Sequence, residues 1–183
     1  MKVAGTKSIH KLIRLATLVF LLFISLVQLR AEDDSTSNEY NVKAMFVINF
    51  MKYVEWPSGN NSGVFKIGVA GESEIYDALQ SMAANRNESR KIIIERANPD
   101  AVGDFQILVI SKNERSKAEV WNKKYHGKGV LIISEEFKDS NSAAINLKNV
   151  DNKIRFEINN SQAKSGGVKI SSRLSNLAIS VLP

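Results

Sequence analysis

Short apolar runs alternate with helical patterns through the middle of the chain, and this alternation constrains the fold more than any other feature. The runs typical of strands cover residues 64–69, 91–95, 105–110 and 130–133. The last two contain almost no polar residue, which is typical of parallel strands buried on both faces. Helical spacing follows the first and third runs. The sequence therefore predicts an α/β fold with βαβ units on a mainly parallel sheet flanked by helices.

A largely buried helix is predicted before the first of these strands. Apolar residues recur at helical spacing from Val42 to Val54, and further apolar residues widen the same face. Pro57 disfavours the helical conformation at Trp56, so this helix should end there.

The last third of the chain has a different pattern. Runs at 143–147 and 153–158 flank a polar turn at 149–152, which predicts a C-terminal antiparallel hairpin. Just before it, Glu135 and Glu136 follow a serine and resemble the first turn of a helix.

Short helices are predicted near the C-terminus. One covers about 160–165, and Ser171 or Ser172 would cap a last helix that extends to Ala178. Ser111 is likewise expected to cap the helix that follows the third strand.

The N-terminus is unlike the rest of the chain. Basic residues precede a nearly uninterrupted apolar run at 15–29, and no acidic residue occurs before Glu32. These are the parts of a secretory signal peptide, and the run is short for a membrane span. We expect a signal peptide at 1–31, a polar linker at 32–38 and an α/β domain at 39–183. The domain would be periplasmic and soluble after cleavage, with an uncleaved anchor as the alternative.

Charge and cysteine content exclude several classes of function. Residues 1–31 contain five of the 25 basic residues and none of the 19 acidic ones, so the remainder carries a net charge of only +1. That balance gives no indication of nucleic-acid binding. The chain has no cysteine and two histidines, so thiolate chemistry is excluded and a zinc ligand set is lacking. We expect no metal and no cofactor.

The motifs that could indicate catalysis are weak. Residues 68–73 lie between a strand and a helix, where phosphate loops occur, but the Gly-Lys-Ser/Thr ending is missing. Residues 171–173 are better interpreted as a helix start than as a nucleophile, because no nucleophile elbow surrounds them. The sequence indicates a protein that is not an enzyme, and an unrecognised hydrolase is the least favoured alternative.

Two segments suggest a contact surface. Tyr53 and Trp56 lie at the end of the first predicted helix, where a partly exposed aromatic residue would anchor an interface; a packed helix is the alternative. Four charged residues near the C-terminus would cluster if the final strand and helix pack together: Arg155, Glu157, Lys169 and Arg173. They would form a polar rim for a partner or an anionic ligand, or an ordinary solvated face.

Both ends of the predicted domain resemble the YfiR family of periplasmic regulators. Residues 43–57 resemble its opening signature, K-A-x-F-x-x-N-F-x-x-Y-V-E-W-P. Residues 155–178 resemble its closing signature, R-F-x-I-N…A…G-L-K-I-S-S-x-L-L-x-L-A. The resemblance covers about residues 40–178.

The resemblance implies a signalling module without catalysis. Its partner would be the periplasmic domain of an inner-membrane diguanylate cyclase or sensor kinase, held off by direct contact, which would affect cyclic-di-GMP and biofilm formation. A homodimer and a small-molecule site near the closing signature are also implied. The expected partner-binding residues are Tyr53, Trp56, Glu157, Lys169 and Arg173. The alternative is a binding protein for a small anionic ligand, held by Arg155, Lys169 and Arg173.

Overall fold

A seven-stranded sheet forms the centre of the fold in this computed structural model, which describes residues 36–57, 63–86, 90–138 and 140–183. The strands are β1 (Val54–Glu55), β2 (Val64–Ala70), β3 (Lys91–Arg96), β4 (Ile107–Ile110), β5 (Leu131–Glu135), β6 (Ile145–Val150), β7 (Lys153–Asn159), β8 (Lys169–Ile170) and β9 (Ser180–Leu182). The helices are α1, described over 36–50, α2 (Ile75–Ala84), α3 (Ala118–Tyr125), α4 (Asn160–Gly166) and α5 (Ser172–Ser175). The described residues also contain two short 3-10 segments, Lys112–Lys117 and Ser140–Ser142.

Residues Tyr40–Pro183 form one compact unit. The predicted signal peptide at 1–31 and most of the predicted linker lie outside the described residues. Cleavage of the signal peptide therefore stays a prediction.

The strand order in the main sheet is β3-β2-β4-β5-β6-β7-β9. Strands β3 to β6 are parallel, and β6 and β7 form the antiparallel pair that the C-terminal hairpin pattern predicted. The α/β class and the mainly parallel sheet are thus confirmed. The chain leaves β2 toward β3 on one side and later returns to β4 on the other, so the strand order reverses at β2.

Helices cover both faces of the sheet. On the first face, α1 and α2 pack on alternate residues of the strands, including Phe65, Val109 and Phe156. On the second face, α3 places Trp121 and Tyr125 against a separate apolar cluster. Burial on both faces explains why β4 and β5 are entirely buried and carry no solvated side.

The first helix is shorter than its pattern predicts. It ends at residue 50, a turn covers 51–53, and Val54 and Glu55 leave the helical path to pair with β8. The helical spacing through Val54 was therefore misleading, because a long-range strand pair determines the conformation of these two residues.

Two further helix predictions are wrong in part. Glu135 ends strand β5, and Glu136 follows with a positive φ of 53°, so neither begins a helix. The last helix ends at Ser175, because the chain turns there to bring the amide of Ile179 to the carbonyl of Phe156. Its predicted cap is confirmed, since the hydroxyl of Ser171 accepts a hydrogen bond from the amide of Leu174 at 3.3 Å.

The α4 terminus depends on two glycines. Gly167 has a φ of 81° and closes the helix in the left-handed region. Gly166 packs so closely on the loop before β5 that a Cβ would lie 2.5 Å from the carbonyl oxygen of Val130.

We expect Gly166→Ala to lower the free energy of unfolding by about 1–3 kcal/mol, the usual cost of overpacking against a backbone that cannot yield. Gly63→Ala is the matched control, since nothing lies within 4 Å of the added carbon. Urea denaturation would measure both. Equal stability of the two variants would contradict the close packing at Gly166.

Candidate functional site

Two distant segments of the chain meet in a short antiparallel ladder on the first face. Strands β1 and β8 pair with Val54 opposite Ile170 and Glu55 opposite Lys169. The amide of Ser171 extends the ladder by donating to the carbonyl of Tyr53 at 2.9 Å. Since Val54 and Ile170 are buried in the first core, the paired Glu55 and Lys169 face outward.

The aromatic residues beside this ladder are only partly buried. Tyr53 and Trp56 both pack against the first core and keep part of their surface exposed. The indole N–H of Trp56 donates to the carbonyl of Gln106 at 3.1 Å, and its ring meets Phe65 edge-on at 5.2 Å. Trp56 therefore has a structural role and an accessible surface at once.

The charged residues beside the ladder are highly exposed. Lys169 pairs with Glu55 at 3.2 Å, and their side chains are 75% and 66% exposed. Arg173 follows on α5 and is also exposed. We call Tyr53, Glu55, Trp56, Lys169 and Arg173 the ladder surface. An ion pair this exposed contributes little to the stability of the fold. Glu55 or Lys169 could therefore form an ion pair with a partner protein instead at little cost.

The structure does not bring the other two predicted site residues to the ladder surface. Arg155 and Glu157 alternate along β7 with Phe156 and Ile158, which are buried in the first core. Both charged side chains therefore point to the second face. There Glu157 accepts hydrogen bonds from Lys148 at 2.8 Å and Asn146 at 3.2 Å.

A buried ionic cluster lies at the carboxyl end of β5. The ammonium of Lys43 on α1 is 3.5 Å from Glu135 and 2.9 Å from Glu136, and Lys43 and Glu135 are each only 2% exposed. The hydroxyl of Ser73 donates to the second oxygen of Glu135 at 2.7 Å. Lys112 reaches Glu136 at 3.2 Å from the exposed side.

The two carboxyl groups have opposite pKa shifts. Burial raises the pKa of Glu135, and the hydrogen bond from Ser73 and the charge of Lys43 offset only part of this effect. Burial also acts to raise the pKa of Glu136, but Lys43 and Lys112 together leave that pKa lowered. Tyr40 stands beside the cluster, with the Lys43 ammonium 4.7 Å from its ring centre, and burial raises its pKa as well.

Sequence reasoning missed this cluster although both partners carried a signal. Lys43 interrupts the apolar face of α1 next to Ala44, and Glu135 ends an otherwise apolar strand. A charged residue at a core position of each element indicates a buried pair.

Other kinds of site find no support in the part of the chain that the structure describes. No group of three or more His, Asp or Glu residues there could hold a metal ion. No described helix combines the length and hydropathy that crossing a membrane requires.

We expect Lys43→Met to lower the free energy of unfolding at neutral pH by about 3 kcal/mol or more, because Glu135 would keep a buried charge without its cation. The loss should shrink as the pH falls, since the raised pKa of Glu135 lets the native state take up a proton before the unfolded state does. Denaturant titrations over a pH series would measure it. Lys52→Met, at an exposed position after α1, is the control. If the loss in the free energy of unfolding does not change with pH, it does not come from a buried, unpaired carboxylate at Glu135.

Glu136→Gln should also lose its effect on stability in acid, but for a different reason. The lowered pKa of Glu136 contributes stability that is present above its ordinary value of 4.5 and is lost as the pH falls through the lowered pKa. The variant should therefore be less stable than the wild type at neutral pH, and the difference should vanish in acid. Thermal unfolding at several pH values would test this, and a constant difference would count against the ionic contribution.

The family comparison agrees with the resemblance at the two ends of the domain. A model of the YfiR/HmsC-like family matches residues 40–179, which include both strands of the ladder and the buried ionic cluster. No curated protein matches the chain. The chain therefore belongs to the YfiR/HmsC-like family, which indicates a periplasmic regulator of diguanylate cyclase signalling rather than an enzyme.

Proposed function

We propose that this chain holds a membrane-bound signalling enzyme in its off state by direct contact through the ladder surface. The enzyme would be an inner-membrane diguanylate cyclase, or a sensor kinase, that presents a domain to the periplasm. The antiparallel pairing of β1 with β8 is the observation that carries the proposal. This pairing brings together, on the first face of the sheet, segments from near the two ends of the family match. Glu55 and Lys169, which pair in it, are 114 positions apart in the sequence.

The composition of the ladder surface supports a protein contact. Tyr53 and Trp56 are partly exposed aromatic residues on a rigid base, the type of residue that dominates interface energetics. Lys169 and Arg173 supply two cations against the single carboxylate of Glu55. A partner with an acidic patch would compete for Lys169 without disturbing the core.

Inhibition by contact needs only a difference in affinity. If the regulator binds the off state of the enzyme more tightly than the on state, the population shifts toward the off state in proportion to that difference. No chemistry at the ladder surface is required. A homodimer would double the number of contacts per regulator and remains part of the proposal.

The anion-binding alternative receives less support from the geometry. Its three expected cations do not converge, because Arg155 points to the second face of the sheet while Lys169 and Arg173 lie beside the ladder. Lys169 is also engaged by Glu55 at 3.2 Å. The contact proposal is therefore preferred.

Charge reversal at the ladder surface tests the proposal. The tagged chain is captured from detergent-solubilised envelope of its own organism, and co-purified membrane proteins are identified by mass spectrometry. We expect a cyclase or kinase with the wild type. Arg173→Glu should weaken the captured complex at least about tenfold, because like charges that face each other across an interface cost several kcal/mol.

Lys123→Glu is the matched control, since Lys123 is an equally exposed cation on α3, which covers the other face of the sheet. Both variants should keep the thermal stability of the wild type, because exposed substitutions change it by no more than about 0.5 kcal/mol. Cellular cyclic-di-GMP gives a second readout: it should rise with Arg173→Glu and stay unchanged with Lys123→Glu. Equal recovery of the membrane enzyme by the two variants would show that the ladder surface is not the contact site.

A further inference from the structure

The main sheet ends at strand β3, whose outer edge pairs with no other strand among the described residues. The register between β3 and β2 is continuous from Lys91 to Arg96, so the edge contains no bulge. The strand has six residues and no proline. Bulges, prolines and very short strands are the devices that commonly keep a sheet edge from pairing with another chain. This edge has none of the three.

Alternate residues of β3 turn their backbone groups toward this edge. The amides of Lys91 and Ala97 donate to carbonyls just before and within β2, at 3.3 and 2.8 Å. Successive residues of a strand point their backbone groups in opposite directions, so the odd-numbered residues from 91 to 97 bond to β2. Ile92 and Ile94 therefore direct their N–H and C=O groups outward, where a further strand would bind them.

An open groove of about 800 Å³ runs beside this edge, between β3 and the end of α2. Residues 92–94 line it on the strand side. On the helix side its lining includes Ala83 and Ala84, whose side chains are small. The helix therefore leaves room for a strand to approach β3.

The side chains of β3 give the edge an apolar centre and charged ends. Ile92 and Ile94 pack with the first core, so Lys91, Ile93 and Glu95 point to the second face of the sheet. Ile93 is partly exposed and, among the described residues, is packed in neither apolar cluster. Its apolar surface is left for another chain to cover.

We propose that a second copy of this chain pairs with β3 along this edge, antiparallel, with the two Ile93 residues opposite each other. Backbone hydrogen bonds then join Ile92 of each copy to Ile94 of the other. On the second face, Lys91 of each copy lies opposite Glu95 of the other, because a two-fold axis makes every contact occur twice. The two sheets become one continuous sheet.

The charge pattern of β3 selects this register from its neighbours. A shift by one residue would set the outward backbone groups of one copy against the inward groups of the other. A shift by two would place either Lys91 or Glu95 opposite Ile93. The proposed register alone sets isoleucine against isoleucine and cation against carboxylate, and such directly opposite pairs stabilise antiparallel strands.

The two arginines that flank the apolar centre are compatible with this register. Arg90 of one copy would stand opposite Arg96 of the other. The guanidinium of Arg90 lies over the ring of Phe65 at 5.2 Å. That of Arg96 lies over the ring of Tyr76 at 3.9 Å and 3.3 Å from the carboxylate of Glu72. Both cations are thus turned to groups of their own chain.

The inference rests on the proposed function only in that the latter includes a homodimer, and it deepens it by assigning the interface. Lys91 and Glu95 point to the second face, so changing them alters no residue of the ladder surface. Capture of the membrane enzyme is measured separately. Loss of the dimer with intact capture would overturn the edge pairing alone.

Sedimentation velocity of the chain, expressed from its full sequence, measures the pairing from about 1 to 500 µM. We expect a monomer–dimer equilibrium with a dissociation constant on the order of 10–100 µM, because one short edge is a small interface. Lys91→Glu and Glu95→Lys should each weaken the dimer at least about tenfold, since each sets like charges opposite each other at both ends. Lys153→Glu, at an exposed lysine that begins β7, is the matched control and should dimerise as the wild type does.

Combining the two changes gives the sharper test. The double variant Lys91→Glu/Glu95→Lys restores opposite charges at both ends and should dimerise like the wild type. An equimolar mixture of the two single variants should form a heterodimer, because both of its charge pairs are again opposite in sign. A monomer at every concentration, a dimer that neither single variant weakens, or a mixture without heterodimer would overturn the proposal.

Discussion

An ammonium group in an apolar interior needs anionic partners, and this requirement fixes where α1 lies on the sheet. Lys43 is 2% exposed and reaches Glu135 and Glu136 at the end of β5. A shift of α1 by one turn would leave the charges of Lys43 and Glu135 buried without each other, and an uncompensated buried charge is strongly destabilising. The same helix ends at residue 50 and delivers the chain to β1, so the position of the ladder surface follows from the buried pair.

The sequence predicted what depends on local pattern and missed what depends on distant partners. The central parallel strands are buried on both faces and appear in the sequence as short apolar runs. The second strand of the hairpin is buried on one face and alternates apolar with charged residues. Both patterns are visible within a few neighbouring residues. Strands β1, β8 and β9 contain two or three residues each, too few for a periodicity. They exist because other segments offer hydrogen bonds, as Tyr53 and Phe156 do to Ser171 and Ile179.

The candidate site shows the same division. Partial exposure of Trp56 was one alternative and a packed helix the other, and the residue packs against the first core while part of its surface stays exposed. The expected cluster of four charges depended on which face of β7 would carry Arg155 and Glu157. Strand alternation alone cannot decide that. It shows that neighbouring residues lie on opposite faces of the sheet, but it does not show which face packs against α1. The packing of Phe156 against Phe46 and Phe50 on α1 decides it and turns both charged residues to the opposite side.

Contacts run from the ladder surface on the first face to the second apolar cluster through the residues just before β4. Trp56 donates to the carbonyl of Gln106, and the neighbouring ring of Phe105 lies 6.2 Å from Tyr125, which stacks on Trp121 at 6.3 Å. Such contacts carry an effect from one face of the sheet to the other only if the protein has two states that a partner binds with different affinity, because a partner that binds both states equally shifts neither.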